Sequence, residues 1–125
     1  MKPKLLVDSS VWINHLHQSD EEFSRALRAK HVYVHQAVIG ELACGTLARR
    51  AEVLTQLMLL PELPDPTFGE LLALIDRRKL WGHGLSWIDV HLLGATLLAG
   101  ARLWTHDPLL HRAAQALGVA YQEPG

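Results

Sequence analysis

The chain has 125 residues, 49% of them hydrophobic and 20% charged, with a formal net charge of −1. That size and composition suit one folded domain, expected over residues 1–125, and argue against a disordered chain. A net charge near zero excludes a protein that coats nucleic acid through overall basicity, while leaving room for a local basic patch.

The single cysteine, Cys44, permits no intramolecular disulfide, which fits a reducing compartment. The apolar run 5–7 is stopped by Asp8, so it is no signal-peptide core. The longest uncharged stretch, 90–101, is well short of the roughly 20 residues that span a bilayer. No membrane association and a cytoplasmic location are expected.

The predicted elements alternate along the chain. Residues 4–7 read as a buried strand, and Asp8-Ser9-Ser10 as a capping turn before a helix at 11–17. A second helix fits 20–30, with Asp20, Glu21 and Glu22 at its positive end. Residues 31–34 form the next strand. Helical periodicity covers 36–46 and resumes over 47–60, until Pro61, Pro64 and Pro66 break it. A short strand fits 60–63. Residues 67–80 are a helix and 81–85 a loop. The strongly apolar stretch 86–98 is a helix ending near Gly100. A strand at 102–105, a helix from Asp107-Pro108 to about 117, and a last strand at 118–121 complete the series. Short apolar strands alternating with helices predict an α/β fold with a central parallel sheet.

Four acids stand out. Asp8 directly follows a buried strand, where ligands bind in open parallel sheets, although it also suits a helix N-cap. Asp107 follows the strand at 102–105 and precedes Pro108, an N-cap signature that repeats the placement of Asp8. Asp89 lies in a helix with almost nothing else polar, so its carboxylate needs a partner or a cation. Ser86 three residues earlier makes a capping box the rival reading. Glu41 sits among small and apolar neighbours. Gly40 and Gly45 beside it are costly in a helix interior and suggest close packing there.

Clustered carboxylates repel one another unless a cation is present, and oxygen donors suit Mg²⁺ or Mn²⁺. Such an ion activates water and stabilises charge on a phosphate. Ser9, Ser10 and Thr105 supply hydroxyls beside the acids, where capping is the alternative role. The eight histidines include no pair at zinc spacing. His106 is a candidate for substrate contact. Arg49-Arg50, Arg77-Arg78-Lys79, Arg102 and Arg112 are candidates for phosphate contact, each also readable as a solvated helix face. Trp12, Trp81, Trp87 and Trp104 suit a core or a subunit interface.

The motifs resemble a known family. Val7-Asp8-Ser9-Ser10-Val11-Trp12 looks like the opening of a PIN domain, in particular the VapC-type toxins of VapBC toxin–antitoxin pairs. Ile39-Gly40-Glu41-Leu42, Ser86-Trp87-Ile88-Asp89-Val90 and Trp104-Thr105-His106-Asp107 resemble the second, third and fourth acidic motifs. The match runs in order through essentially the whole chain.

The resemblance implies a PIN-like three-layer α/β/α sandwich and an Mg²⁺- or Mn²⁺-dependent endoribonuclease. The catalytic acids would be Asp8, Glu41, Asp89 and Asp107, with the metal on Asp8, Asp89 and Asp107. It also implies an RNA substrate, a homodimer and a cognate VapB-type antitoxin. Many relatives carry a further Asp two residues after the fourth acid, where this chain has Leu109. Two other readings compete. A haloacid-dehalogenase-type phosphatase would need a second Asp at position 10, which is Ser10. A non-catalytic protein-binding α/β module would leave the acids without a chemical role.

Overall fold

The computed structural model describes residues 2–124. Three parallel strands, β1 (Leu5–Val7), β2 (Val32–Tyr33) and β3 (Arg102–Trp104), form a sheet in the order β2-β1-β3. All three residues of the central strand are buried, as expected for a strand covered on both faces. The register pairs Leu5 with Val32 and Val7 with Trp104.

Among the described residues, seven helices surround this sheet: α1 (Ser9–His17), α2 (Glu21–Arg28), α3 (Gln36–Cys44), α4 (Arg50–Leu57), α5 (Phe68–Arg78), α6 (Trp87–Ala99) and α7 (Pro108–Ala116). Helix α3 packs on α1 and α4, while α6 packs on α5 and β3.

The predicted strands at 60–63 and 118–121 are each reduced to a single parallel bridge, Val34 with Glu62 and Leu103 with Ala120. These bridges extend both edges of the sheet without forming ladders. Pro61 and Pro64 flank Glu62 and cannot donate, which limits pairing there. The helix expected over 47–60 is shorter and starts at Arg50, after Arg49 in the left-handed region (φ 54°).

Local signals explain most boundaries. Asp8, Asp20, Thr67, Ser86 and Asp107 all act as N-caps through their side chains. Gly100 ends α6 at φ 64°, a conformation glycine adopts without penalty.

The core joins the sheet to the helices through Leu6, Val7, Leu92, Leu93, Leu103 and Leu110, all fully buried. Phe23 stands edge-on to both Trp12 (4.7 Å) and Trp104 (5.5 Å), a geometry that adds to simple burial. Trp81 and Trp87, by contrast, are exposed.

The expected close packing at Gly40 and Gly45 is not found. A Cβ on Gly40 would meet nothing within 4 Å, and Gly45 lies past the end of α3 as its C-cap. The close approach is at Gly94 instead, where a Cβ would lie 2.5 Å from Leu71 Cδ2 and 3.2 Å from Pro66 Cγ. This proximity seats α6 on α5.

Candidate active site

Parallel strands bring their carboxyl ends to one edge, and the polar residues gather there. Asp8 follows β1 and is 6% exposed. Its backbone N–H donates to Trp104 O, which extends the β1–β3 ladder by one step. Its Oδ1 accepts from Ser9 N (2.8 Å), and its Oδ2 accepts from the hydroxyls of Ser10 (2.9 Å) and Thr105 (2.7 Å). Three donors on one buried carboxylate fix its orientation.

Extending the register by one step sets Asp8 opposite Thr105, the residue after β3, rather than Asp107. Thr105 Oγ1 accepts from the Asp107 backbone N–H at 3.0 Å. Ser10 Oγ accepts from the His106 backbone N–H at 3.0 Å. The hydroxyls of Ser10 and Thr105 thus join the two Asp-bearing turns, so they support the acids as well as the local turns. Asp107 caps α7, its Oδ1 accepting from Leu109 N at 2.9 Å.

Asp89 enters from α6. Its Oδ2 accepts from Ser86 N (2.9 Å) and its own N–H donates to Ser86 Oγ (3.1 Å), which closes the capping box. Burial raises the Asp89 carboxyl above its ordinary range, the Ser86 bonds oppose this, and the charges of Asp107 and Asp8 add to the rise.

Glu41, on α3, is exposed and caps no helix. Its carboxyl is also raised, first by desolvation and next by the charge of Asp8. The nearby Ser9 hydroxyl lowers it and Asp89 raises it further. Asp8 thus contributes to the rise of both Glu41 and Asp89, and Asp107 to that of Asp89. The four predicted acids come from different parts of the chain; Asp8 and Asp107 share the Thr105 hydroxyl, and Glu41 and Asp89 sense the charges of their acidic neighbours.

The other predicted contacts fare differently. His106 Nε2 pairs with Glu123 at 2.8 Å, and Glu123 also accepts from Trp104 Nε1 at 2.8 Å, so this histidine fastens the end of the chain near the site. Arg50 donates twice to Ala43 O, covering the last turn of α3, and Arg49 lies 4.0 Å from Glu52. Both arginines therefore have partners within the chain.

Sequence reasoning missed a second polar cluster. His35, Asp65 and His91 form a group of three potential ligands whose donor atoms lie within 4.8 Å of one another. His35 Nδ1 accepts from Ala37 N at 3.0 Å and so caps α3. That leaves the proton on Nε2, which donates to Asp65 Oδ1 at 3.0 Å. His91 Nδ1 donates to the same carboxylate at 3.0 Å. Asp65 is better described as an acceptor joining two imidazoles than as one of three metal ligands. The signal in the sequence was His35 itself, at the end of a strand on the edge that carries Asp8.

A family model for the PIN domain matches residues 5–116. The chain belongs to the PIN domain family. It is 44% identical over 120 residues to Ribonuclease VapC32 from two strains of Mycobacterium tuberculosis, CDC 1551 / Oshkosh and ATCC 25618 / H37Rv, covering 95% of this chain and 97% of each relative. Among solved structures, PAE2754 from Pyrobaculum aerophilum superposes with a TM-score of 0.63 at 18% identity, over 92% of this chain and 86% of that one. That likeness supports the α/β/α sandwich of the PIN fold.

Proposed function

We propose that this chain is a metal-dependent endoribonuclease of the VapC type, acting as the toxin of a toxin–antitoxin pair. The observations that support the proposal are that Asp8 and Asp107 share the Thr105 hydroxyl, and that Glu41 and Asp89 are raised first by desolvation and then by neighbouring acids, Asp8 among them in both cases. The 44% identity to a relative named a ribonuclease supports RNA as the substrate.

The donor set suits Mg²⁺ or Mn²⁺. It is made of carboxylate and hydroxyl oxygens, and its mutual repulsion is what a divalent cation relieves. Asp8, Asp89 and Asp107 would hold the ion. The chemistry supplied there is polarisation of water and phosphate.

The remaining work falls to the chain itself. Ser9 N, Ser10 and Thr105 hold Asp8 in orientation. Ser86 aims Asp89. Glu41, free of capping duty and with its carboxyl raised above the ordinary range, would accept the proton of the attacking water. A cytoplasmic homodimer inhibited by a VapB-type antitoxin completes the reading, with exposed Met58 and Leu59 offering an apolar surface in the segment 54–60.

The test is cleavage of a labelled RNA with and without Mg²⁺ or Mn²⁺. Wild type is expected to cleave only with metal. Asp8→Asn, Glu41→Gln, Asp89→Asn and Asp107→Asn are each expected to slow cleavage by on the order of a hundredfold or more while staying folded, in line with the loss of a general acid–base group. Full activity in Asp8→Asn and Asp89→Asn would support the protein-binding module instead. Release of phosphate from a small phosphomonoester, with no RNA cleavage, would support the phosphatase.

A further inference from the structure

The cationic side chains of this protein differ in how they are engaged. Arg25 and Arg28 lie near Glu21, Arg49 lies near Glu52, and Arg50 and Arg102 donate to the carbonyls of Ala43 and Gly118. Among the described residues, Arg78, Lys79 and Arg112 form no hydrogen bond or ion pair through their side chains. These three come together around one groove of about 250 Å³, between the end of α5, the loop that follows it, and α7. His83 completes the rim, Leu85 and Leu109 contribute to an apolar floor, and no carboxylate among the described residues lines it.

Two residues of the groove adjoin the turns that hold Asp89 and Asp107. Leu85 precedes Ser86, whose N–H holds Asp89. Leu109 donates its own N–H to Asp107. Lys79, Gly82 and Gly84 all have positive φ in the loop that borders the groove, and Gly84 lies against Leu109 of α7.

We infer that this groove is the track for the RNA backbone next to the cleavage site, with Arg78, Lys79 and Arg112 each neutralising a phosphate. The inference rests on the ribonuclease reading above. A pocket of four carboxylates repels a polyanion, so a strand reaching it needs fixed positive charge close by. Trp81, exposed at 61%, lies between Lys79 and His83 in the sequence and offers an indole face for a base to stack on. A basic groove with an adjacent exposed aromatic is the combination that holds single strands without reading their sequence. An acidic peptide would use the same charges but has no such need for the indole.

The experiment measures binding of a fluorescent 20-nucleotide single-stranded RNA in EDTA, across a series of salt concentrations. The groove variant is Arg78→Gln/Lys79→Asn/Arg112→Gln, in which asparagine is chosen for its tolerance of the left-handed backbone at that position. The control is Lys2→Gln/Arg25→Gln/Arg28→Gln, which removes the same charge elsewhere. Retained melting temperatures establish that both are folded.

The groove variant is expected to bind at least tenfold more weakly at moderate salt. Its slope of log K against log salt should be shallower by about 2, since each of the three phosphates neutralised in the groove accounts for roughly 0.7 of the wild-type slope. The control should stay within twofold of wild type. Trp81→Leu should weaken binding about tenfold without changing the slope. Equal losses in groove variant and control overturn the inference, as does wild type binding no RNA, or an oligoglutamate binding the groove more tightly than RNA does. Wild type that cleaves RNA while the groove variant binds normally sinks the track and spares the ribonuclease. Groove-dependent binding without cleavage supports the track and sinks the ribonuclease.

Discussion

Thr105 donates its hydroxyl to Asp8 Oδ2 at 2.7 Å, linking residues 97 positions apart at the ends of two adjacent parallel strands. The Thr105 oxygen in turn accepts from the Asp107 backbone N–H. One hydroxyl therefore sets the spacing of two acids. Thr105→Val keeps the shape and removes both bonds, leaving a buried carboxylate one donor short. It is expected to cost about 2 kcal/mol in denaturant unfolding and to slow RNA cleavage. Thr105→Ser restores the hydroxyl and is expected to recover most of the cleavage. Equal activity in the Val and Ser variants would show that the bond does not position the acids.

The two Asp-bearing turns are legible in the sequence because each combines a short apolar run with a capping residue. The difference between them is not. Asp8 immediately follows its strand, whereas Asp107 lies two residues past Thr105, the position opposite Asp8. Register is a property of pairing, and local sequence does not contain it. Asp89 is legible for a different reason, as the one ionisable carboxylate in an apolar helix. Glu41 leaves almost no local trace. Its membership depends on where α3 lies relative to α1, a tertiary relationship. The two edge bridges at Glu62 and Ala120 fall where the sequence predicts strands but are shorter, since strand length depends on the neighbour that pairs.

Repulsion within the acid group gives it a pH signature. Burial and neighbouring charge raise Glu41 and Asp89, so the folded state binds their protons more tightly than the unfolded chain does. Without metal, these groups favour folding more as pH falls from neutral toward their ordinary range near 4, and that gain saturates below it. In EDTA, Glu41→Gln and Asp89→Asn are therefore expected to equal or exceed wild type in melting temperature at pH 7.5. Their advantage should shrink by pH 5 and disappear when Mg²⁺ or Mn²⁺ is added to wild type. For Asp89, loss of the capping interaction works in the opposite direction, so Glu41→Gln is the cleaner probe. A melting temperature for Glu41→Gln that falls equally at both pH values would exclude the repulsion.

Gly40 and Gly94 both lie inside continuous helices, in opposite surroundings. Gly40 has open space where a Cβ would go. Gly40→Ala is expected to stabilise by about 0.5–1 kcal/mol, the ordinary helical advantage of alanine over glycine. Gly94 faces Leu71, which is itself fully buried and has little room to retreat. Gly94→Ala is expected to destabilise by about 1–3 kcal/mol, outweighing the same helical gain. Urea midpoints for the two single variants check both signs. A stabilised Gly94→Ala would mean that α5 and α6 can separate slightly at no cost.

Asp65 gathers N–H bonds from His35, at the head of α3, and His91, on α6. It thereby joins the helices that deliver Glu41 and Asp89. Burial alone would raise the Asp65 carboxyl, but the hydrogen bonds from the two histidines hold it below its ordinary value. A depressed carboxyl contributes stability that is present above its unfolded value near 4 and is lost as pH falls through the lower folded value. Asp65→Ala is thus expected to cost about 1 kcal/mol at pH 7, a figure reduced by the carboxylate's partial exposure, and to show a smaller difference from wild type near pH 3. His35→Ala should cost more, about 2 kcal/mol, because it also removes the cap on Ala37 and empties a buried site. If Asp65 served mainly as a metal ligand, the Asp65→Ala penalty would depend on added Zn²⁺ or Ni²⁺. With the His35 proton committed to Asp65, the penalty is expected to be the same in EDTA.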